Sequence, residues 1–275
     1  MAAAAGALQK TGNAFRAADL GLDVTLVDRH EQPGGVCLHR GCIPSKAWRA
    51  AADRIRDRMH DADLGIKGTD KARLDWETLE AHRRGVLETR GEMALKTDKG
   101  VRISYIQGFG SFVDDHTLAI HTSTNQDDPH TRAATPDGKP EKTISFGAAV
   151  VATGAPPFVP PIPGLDEVGY LTSDSVWQLQ EQPARLVVLG GGPIGCELAQ
   201  AFSRVGATVI QVEMAPRLMP REDPEISEMV KQRFMDEGID VRIDTKAQAF
   251  RLVDGDKHLV ADHDGESIDI VFDQV

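Results

Sequence analysis

Twice along this chain, a helical pattern stopped by a glycine runs into a short apolar strand with a carboxylate at its tip. One copy reads Ala14-Phe15-Arg16-Ala17-Ala18-Asp19-Leu20-Gly21, continues through Leu22 to Val27 and closes on Asp28. The other reads Ala201-Phe202-Ser203-Arg204-Val205-Gly206, continues through Ala207 to Val212 and closes on Glu213. Each carboxylate falls seven residues after its glycine. Glycine ends a helix by taking positive φ without a Cβ clash, and the apolar run after it reads as a buried strand. Two such units far apart predict an α/β fold of two doubly wound, Rossmann-like, dinucleotide-binding domains.

The second copy is complete. Arg185-Leu186-Val187-Val188-Leu189 is a short apolar strand, followed by Gly190-Gly191-Gly192-Pro193-Ile194-Gly195 and then the helix. Within that helix Ile194, Leu198, Phe202 and Val205 recur at helical spacing, which predicts one apolar face. Gly190, Gly192 and Gly195 match G-x-G-x-x-G, and Glu213 lies eighteen residues past the last of them. Such glycines let the backbone turn tightly and approach a pyrophosphate, whose charge rests on the helix N-terminus. A terminal Glu accepts hydrogen bonds from both ribose hydroxyls and repels a 2′-phosphate, so the expected cofactor is NAD rather than NADP.

The first copy departs from this pattern. Counting back from Gly21 by the steps that separate Gly206 from its loop glycines lands on Ala5, Ala7 and Lys10. Met1 to Ala4 is shorter than a normal strand of about 5–6 residues. The expectation is a first domain without its opening strand and phosphate loop, which would leave unpaired edges inside the sheet. Ala51 to Lys99 is charged and helical in pattern, and Thr122 to Lys142 reads as a polar surface excursion. Ala148 to Ala152 reads as an apolar strand ending in Thr153-Gly154, ahead of a proline-rich segment through Gly164. Domains are therefore expected over 1–164 and 165–275. Val241 to Ile243, Phe250 to Val253 and Ile268 to Phe272 read as a meander, and the sequence then stops with a further strand barely begun.

Composition narrows the setting. With 31 basic and 42 acidic residues the formal charge is −11, which disfavours nucleic acid or an anionic membrane as a partner. No apolar run is long enough to span a bilayer. The alanine-rich start lacks the basic region of an export signal, so a cytoplasmic protein is expected. Three cysteines cannot make a secreted disulfide framework, and no metal site is read from the sequence.

Two of the cysteines stand close together in Cys37-Leu38-His39-Arg40-Gly41-Cys42. In a regular helix five residues rise about 7.5 Å, beyond the roughly 7 Å Cα limit of a disulfide. The pair could bridge only if Cys37 lies in an irregular segment before a helix, which Gly34, Gly35 and Gly41 permit and Pro44, at the first helical position, would open. Cys42 near a helix N-terminus would be favoured as a thiolate. A reducible disulfide beside a redox cofactor is one reading, and two separate buried cysteines are the other. Cys196 is expected to be a small core residue, and His39 a surface neighbour.

The run Gly34-Gly35-Val36-Cys37-Leu38-His39-Arg40-Gly41-Cys42-Ile43-Pro44-Ser45-Lys46 resembles the redox signature of the flavin-dependent pyridine nucleotide–disulfide oxidoreductases. Leu after the first cysteine and Ile-Pro-Ser-Lys after the second are most similar to its dihydrolipoamide dehydrogenase branch. Glutathione and mercuric reductases are near relatives. Gly108-Phe109-Gly110, Ala152-Thr153-Gly154, the glycine loop and Glu213 extend the resemblance over nearly the whole chain. It implies FAD and NAD as cofactors, with electrons passing from dihydrolipoamide to a Cys37–Cys42 disulfide, then to FAD and NAD. It also implies Cys37 as the interchange thiol, Cys42 as the flavin-facing thiol, and Lys46 with Glu197 as an ion pair at the flavin edge. Asp28 would bind the adenosine ribose of FAD and Gly110 would lie against its adenine. Lipoyl groups of 2-oxo acid dehydrogenase complexes would be the partners.

The same resemblance makes the sequence look truncated at both ends. The family's C-terminal domain, which forms the homodimer and supplies a His–Glu base, has no counterpart here, so little activity is expected of this chain alone. A related disulfide or mercuric reductase, and a non-catalytic NAD-binding fragment, are the alternatives.

Overall fold

The computed structural model describes residues 2–4, 8–29, 34–69, 72–100, 103–121 and 139–275. It divides into two compact units, Met1–Pro44 with Arg83–Pro157, and Ser45–His82 with Phe158–Val275. A boundary after 164 alone would leave the 45–82 segment in the first of these.

In the first unit the chain runs β1 (Ala2–Ala4), α1 (Leu8–Asp19), β2 (Val24–Asp28) and α2 (Gly35–His39), and starts α3 (Cys42–Arg58). After α4 (Trp76–Gly100) come β3 (Ile103–Gln107), β4 (Phe109–Asp114), β5 (Thr117–His121) and β6 (Lys142–Ser145). All five residues of β2 are buried, as a strand covered on both faces requires. Contrary to expectation, an opening strand exists. β1 pairs in parallel with β2, Ala2 opposite Val24 and Ala4 opposite Leu26, while β3 pairs with the other edge. The sequence argument weighed side chains and length, whereas the ladder is made by backbone groups that three alanines supply as well as any residue. The counted-back positions Ala5 and Ala7 lie outside the described residues, and Lys10 falls within α1. The polar excursion likewise lies outside them from 122 to 138.

A second correction concerns Ala148 to Ala152. No strand forms there, and Val150 and Val151 are 41% and 67% exposed. An apolar run becomes a strand only where a neighbouring ladder takes its N–H and C=O groups, and here none does among the described residues. β4, β5 and β6 make a separate antiparallel sheet over Leu118, Ile120 and Phe146.

The second unit contains the rest of α3, the first turns of α4, and α5 (Leu165–Val168), β7 (Arg185–Leu189), α6 (Pro193–Arg204) and β8 (Thr208–Val212). It continues with α7 (Pro224–Asp236), β9 (Asp240–Arg242), β10 (Thr245–Val253), β11 (Asp256–His263) and β12 (Glu266–Phe272). β7, β8 and β9 form a parallel sheet in that order, and Gln274 bridges to Leu186 on the far edge of β7. Side chains alternate across the sheet as strand geometry demands. Leu186 and Val209 pack with Phe202, Trp48 and Trp177 on the helical side. Val187 and Val212 pack with Phe250, Leu259 and Phe272 of the β10–β12 meander on the other.

The meander is therefore not the one expected. Its first expected strand, near Val241, belongs to the parallel sheet, and the strand missed was β11. Asp254-Gly255 and Asp264-Gly265 take positive φ at both residues, giving the two-residue turns whose twist suits a hairpin. The expected apolar face of α6 also changes. Ile194 is 60% exposed, and Cys196 and Ala199 are buried instead.

Candidate functional site

In the first unit, Gly34 and Gly35 hold φ of +140° and +59°, a left-handed entry that only glycine makes cheaply. A Cβ on Gly34 would sit 2.4 Å from Leu38 Cδ2, so the position is doubly reserved. Cys37 is half-buried and lies in α2, a short helix of its own, rather than in an irregular segment. The helical run then breaks. The Arg40 N–H donates to Val36 O at 2.8 Å, and α3 restarts at Cys42. A Cβ on Gly41 would lie 3.0 Å from Val36 O and 3.3 Å from Cys37 Cα, so the residue before Cys42 folds back onto Cys37.

Cys42, exposed, is the first residue of α3. Pro44 is third in the helix rather than first. It is still in the turn whose N–H groups have no intrahelical acceptor, so its missing donor costs nothing.

Asp28 ends β2 and is buried, and its main-chain oxygen accepts from the Gly108 N–H at 2.7 Å. Gly110 packs under Leu118, 3.2 Å from where a Cβ would stand. Thr153 and Gly154 are exposed, with Gly154 at φ +71°.

In the second unit the glycine loop joins β7 to α6 as the motif requires. A Cβ on Gly195 would meet Gly190 O at 2.5 Å, which explains the third glycine by packing alone. A Cβ on Gly192 would meet nothing within 4 Å, although its φ of −76° suits any residue. The fold itself does not require glycine at 192. Glu213 follows β8, and its carboxylate accepts the Gly191 N–H at 2.5 Å and the Ala215 N–H at 2.7 Å. A carboxylate offers about four acceptor positions, so two remain for hydroxyls. The loop thus fits a dinucleotide.

Lys46, on α3, forms an ion pair with Glu197, on α6; their side chains are 56% and 27% exposed. An exposed pair like this contributes little to stability, about 0–1 kcal/mol. Two turns further along both helices a second, oppositely wired pair joins Asp53 to Arg204. Sequence reasoning missed it, and missed Glu237, which takes Arg204 in bidentate fashion at 2.8 Å, Arg233 at 2.7 Å and Arg56 at 3.2 Å. Apart from Arg233, four residues before Glu237, no local spacing announces the members of this cluster.

Burial works to raise the Glu237 pKa, but Arg204 and Arg233 outweigh it and hold the carboxyl below its ordinary range. A depressed folded-state pKa gives stability that is complete above the unfolded-state pKa and is lost as pH falls through the folded one. The melting-temperature difference between the chain and its Glu237→Gln variant is therefore expected to be constant near neutrality and to shrink below about pH 4.5. A difference that grows on acidification would contradict this.

Comparisons with known proteins follow the same lines. Residues 11–275 match the profile of the pyridine nucleotide-disulphide oxidoreductase family. A dihydrolipoyl dehydrogenase 2 of Haloarcula marismortui is 35% identical over 229 residues, 82% of this chain and 45% of that protein. A mercuric reductase of Streptomyces lividans is 35% identical over 239 residues, 86% of this chain and 47% of that protein. The chain spans about half the length of the curated relatives it matches. Among solved structures, the Cu(II) complex of the HOCl-induced flavoprotein disulfide reductase RclA from Escherichia coli aligns over all of this chain and 55% of its own. Its TM-score is 0.75 at 23% identity, which shows a shared fold. No helix among the described residues is long and apolar enough to cross a membrane. With a profile match across almost its whole length, the chain belongs to the pyridine nucleotide-disulphide oxidoreductase family.

Proposed function

We propose that this chain exchanges an electron pair between a dithiol substrate and NAD through Cys37 and Cys42, with dihydrolipoamide as the substrate. The observation that carries the reading is the fold-back at Gly41, which sets Cys37 against the residue preceding the helix-head Cys42. Substrate oxidation gives two electrons and two protons to a Cys37–Cys42 disulfide, which opens to two thiols. The family resemblance gives Cys42 the flavin-facing role and leaves Cys37 as the thiol that exchanges with substrate. Asp28, Gly34, Gly35, Gly110, Thr153 and Gly154 are the residues to hold FAD, which when bound supplies the two-electron relay between thiols and nicotinamide. The ion pair of Lys46 with Glu197 is what the family resemblance would use at the flavin edge. Gly190, Gly192, Gly195 and Glu213 hold the dinucleotide, and the Glu213 carboxylate favours free ribose hydroxyls over a 2′-phosphate, hence NAD over NADP.

Mercuric reductases match this chain as well as dihydrolipoyl dehydrogenases do, so reduction of Hg(II) is the second reading. The test supplies the chain with FAD and compares two reactions. A small yield of NADH from NAD and dihydrolipoamide, above blanks of Cys37→Ser and Cys42→Ser but far below ordinary turnover for the family, is the expected result. Oxidation of NADH or NADPH by Hg(II), with none of that dihydrolipoamide reaction, would overturn the dithiol reading. Lipoyl groups carried by 2-oxo acid dehydrogenase complexes are the corresponding partners.

A further inference from the structure

Gln211 is the one buried polar residue of the strand β8, with no exposed surface. It lies on the helical face of the sheet, two residues before Glu213. Its Nε2 donates to Gly190 O at 3.0 Å and stands 3.6 Å from Cys196 Sγ. Its Oε1 has no hydrogen-bond partner among the described residues. A leucine or methionine would fill the same space without burying an unsatisfied carbonyl oxygen, so stability alone does not account for a glutamine here.

What the amide does is local. The peptide between Gly190 and Gly191 is held at both ends from one strand, its oxygen by Gln211 and its N–H by Glu213. The next peptide has its Gly191 oxygen taken by Cys196 Sγ at 3.3 Å and by the Met219 N–H at 2.7 Å. Burial pushes the Cys196 thiol up, the Glu213 charge adds to this against the Gln211 amide, and the sulfur keeps its proton as a donor. With both oxygens drawn inward, the Gly192 N–H and the first N–H groups of α6 are left for an anion. Rotation of either peptide would turn a carbonyl oxygen toward that anion.

We infer that Gln211, assisted by Cys196, is a positioning residue for dinucleotide binding, clamping the Gly190 and Gly191 carbonyls so that the loop presents N–H groups to the diphosphate. The inference rests on the reading that this loop binds NAD. Its test titrates the 275-residue chain with NADH, following nucleotide fluorescence, and records thermal melting of the same samples. Gln211→Leu and Gln211→Met are expected to lose about tenfold in NADH affinity while melting at or above the parent temperature. Cys196→Ala is expected to lose about threefold, and Cys196→Ser, which keeps a donor, to remain within about twofold. Parental affinity in both Gln211 variants would overturn the inference, as would a loss matched by a lower melting temperature, which marks a merely structural role. A parent chain that binds no NADH would overturn the dinucleotide reading itself, and the inference with it.

Discussion

Replacing Arg204 with methionine is expected to destabilise the chain by about 3 kcal/mol, the lower end of the range for breaking a buried ion pair. The Arg204 side chain is 9% exposed and that of Glu237 10%, so neither can turn to water when its partner is lost. Arg204 also holds Asp53, so one substitution unties α6 from both α3 and the end of α7. The value sits at the lower end because Arg56 and Arg233 remain on Glu237 and soften the cost of stranding its charge. Arg233→Met is the control. Its side chain is 46% exposed, and removal is expected to cost less than about 1 kcal/mol. Denaturant unfolding of the three proteins checks the order, and equal losses for Arg204 and Arg233 would contradict the role given to burial.

Gly195→Ala is expected to lower NADH affinity by about a hundredfold, and Gly192→Ala by at least about tenfold, for different reasons. The added methyl at 195 would stand 2.5 Å from the Gly190 oxygen, and neither atom belongs to a flexible side chain. The helix must shift away from the loop, so melting temperature falls together with affinity. At 192 the methyl would meet no protein atom within 4 Å, on a backbone of ordinary φ. The fold is therefore untouched and only the approach of a ligand is blocked. NADH titration with parallel melting curves separates the two cases. Gly192→Ala binding as the parent does would show that the space outside the loop is not where the dinucleotide lies.

The strand–loop–helix around Gly190 to Gly195 was legible because its signals are local. An apolar run, three glycines at fixed steps and a terminal Glu each act within about thirty residues. The opening strand was not, since it depends on a backbone ladder to β2 that pattern reading does not weigh. β11 carried two Asp-Gly turn signals that the pattern of apolar residues overshadowed. Gln211 was visible as the single polar residue in the run Thr208–Val212 that is buried at mid-strand, but its meaning depends on a carbonyl twenty-one positions away. The long-range part of the network around Glu237 was illegible, because Arg56 and Arg204 reach it only after their helices pack. For the thiol pair, sequence spacing supplied the question of whether five residues could be brought together. The break between α2 and α3 and the close approach at Gly41 supply the means.

The central claim is that an electron pair moves between Cys37–Cys42 and nicotinamide. The most direct measurement adds NADH anaerobically to the oxidised chain with FAD present, and follows nicotinamide absorbance while counting new thiols by alkylation and peptide mass. The account predicts one NADH oxidised for two thiols gained, both in the peptides of Cys37 and Cys42, and no gain in the Cys42→Ser variant. NADH consumed without new thiols there, or thiols exposed with no NADH consumed, would contradict it.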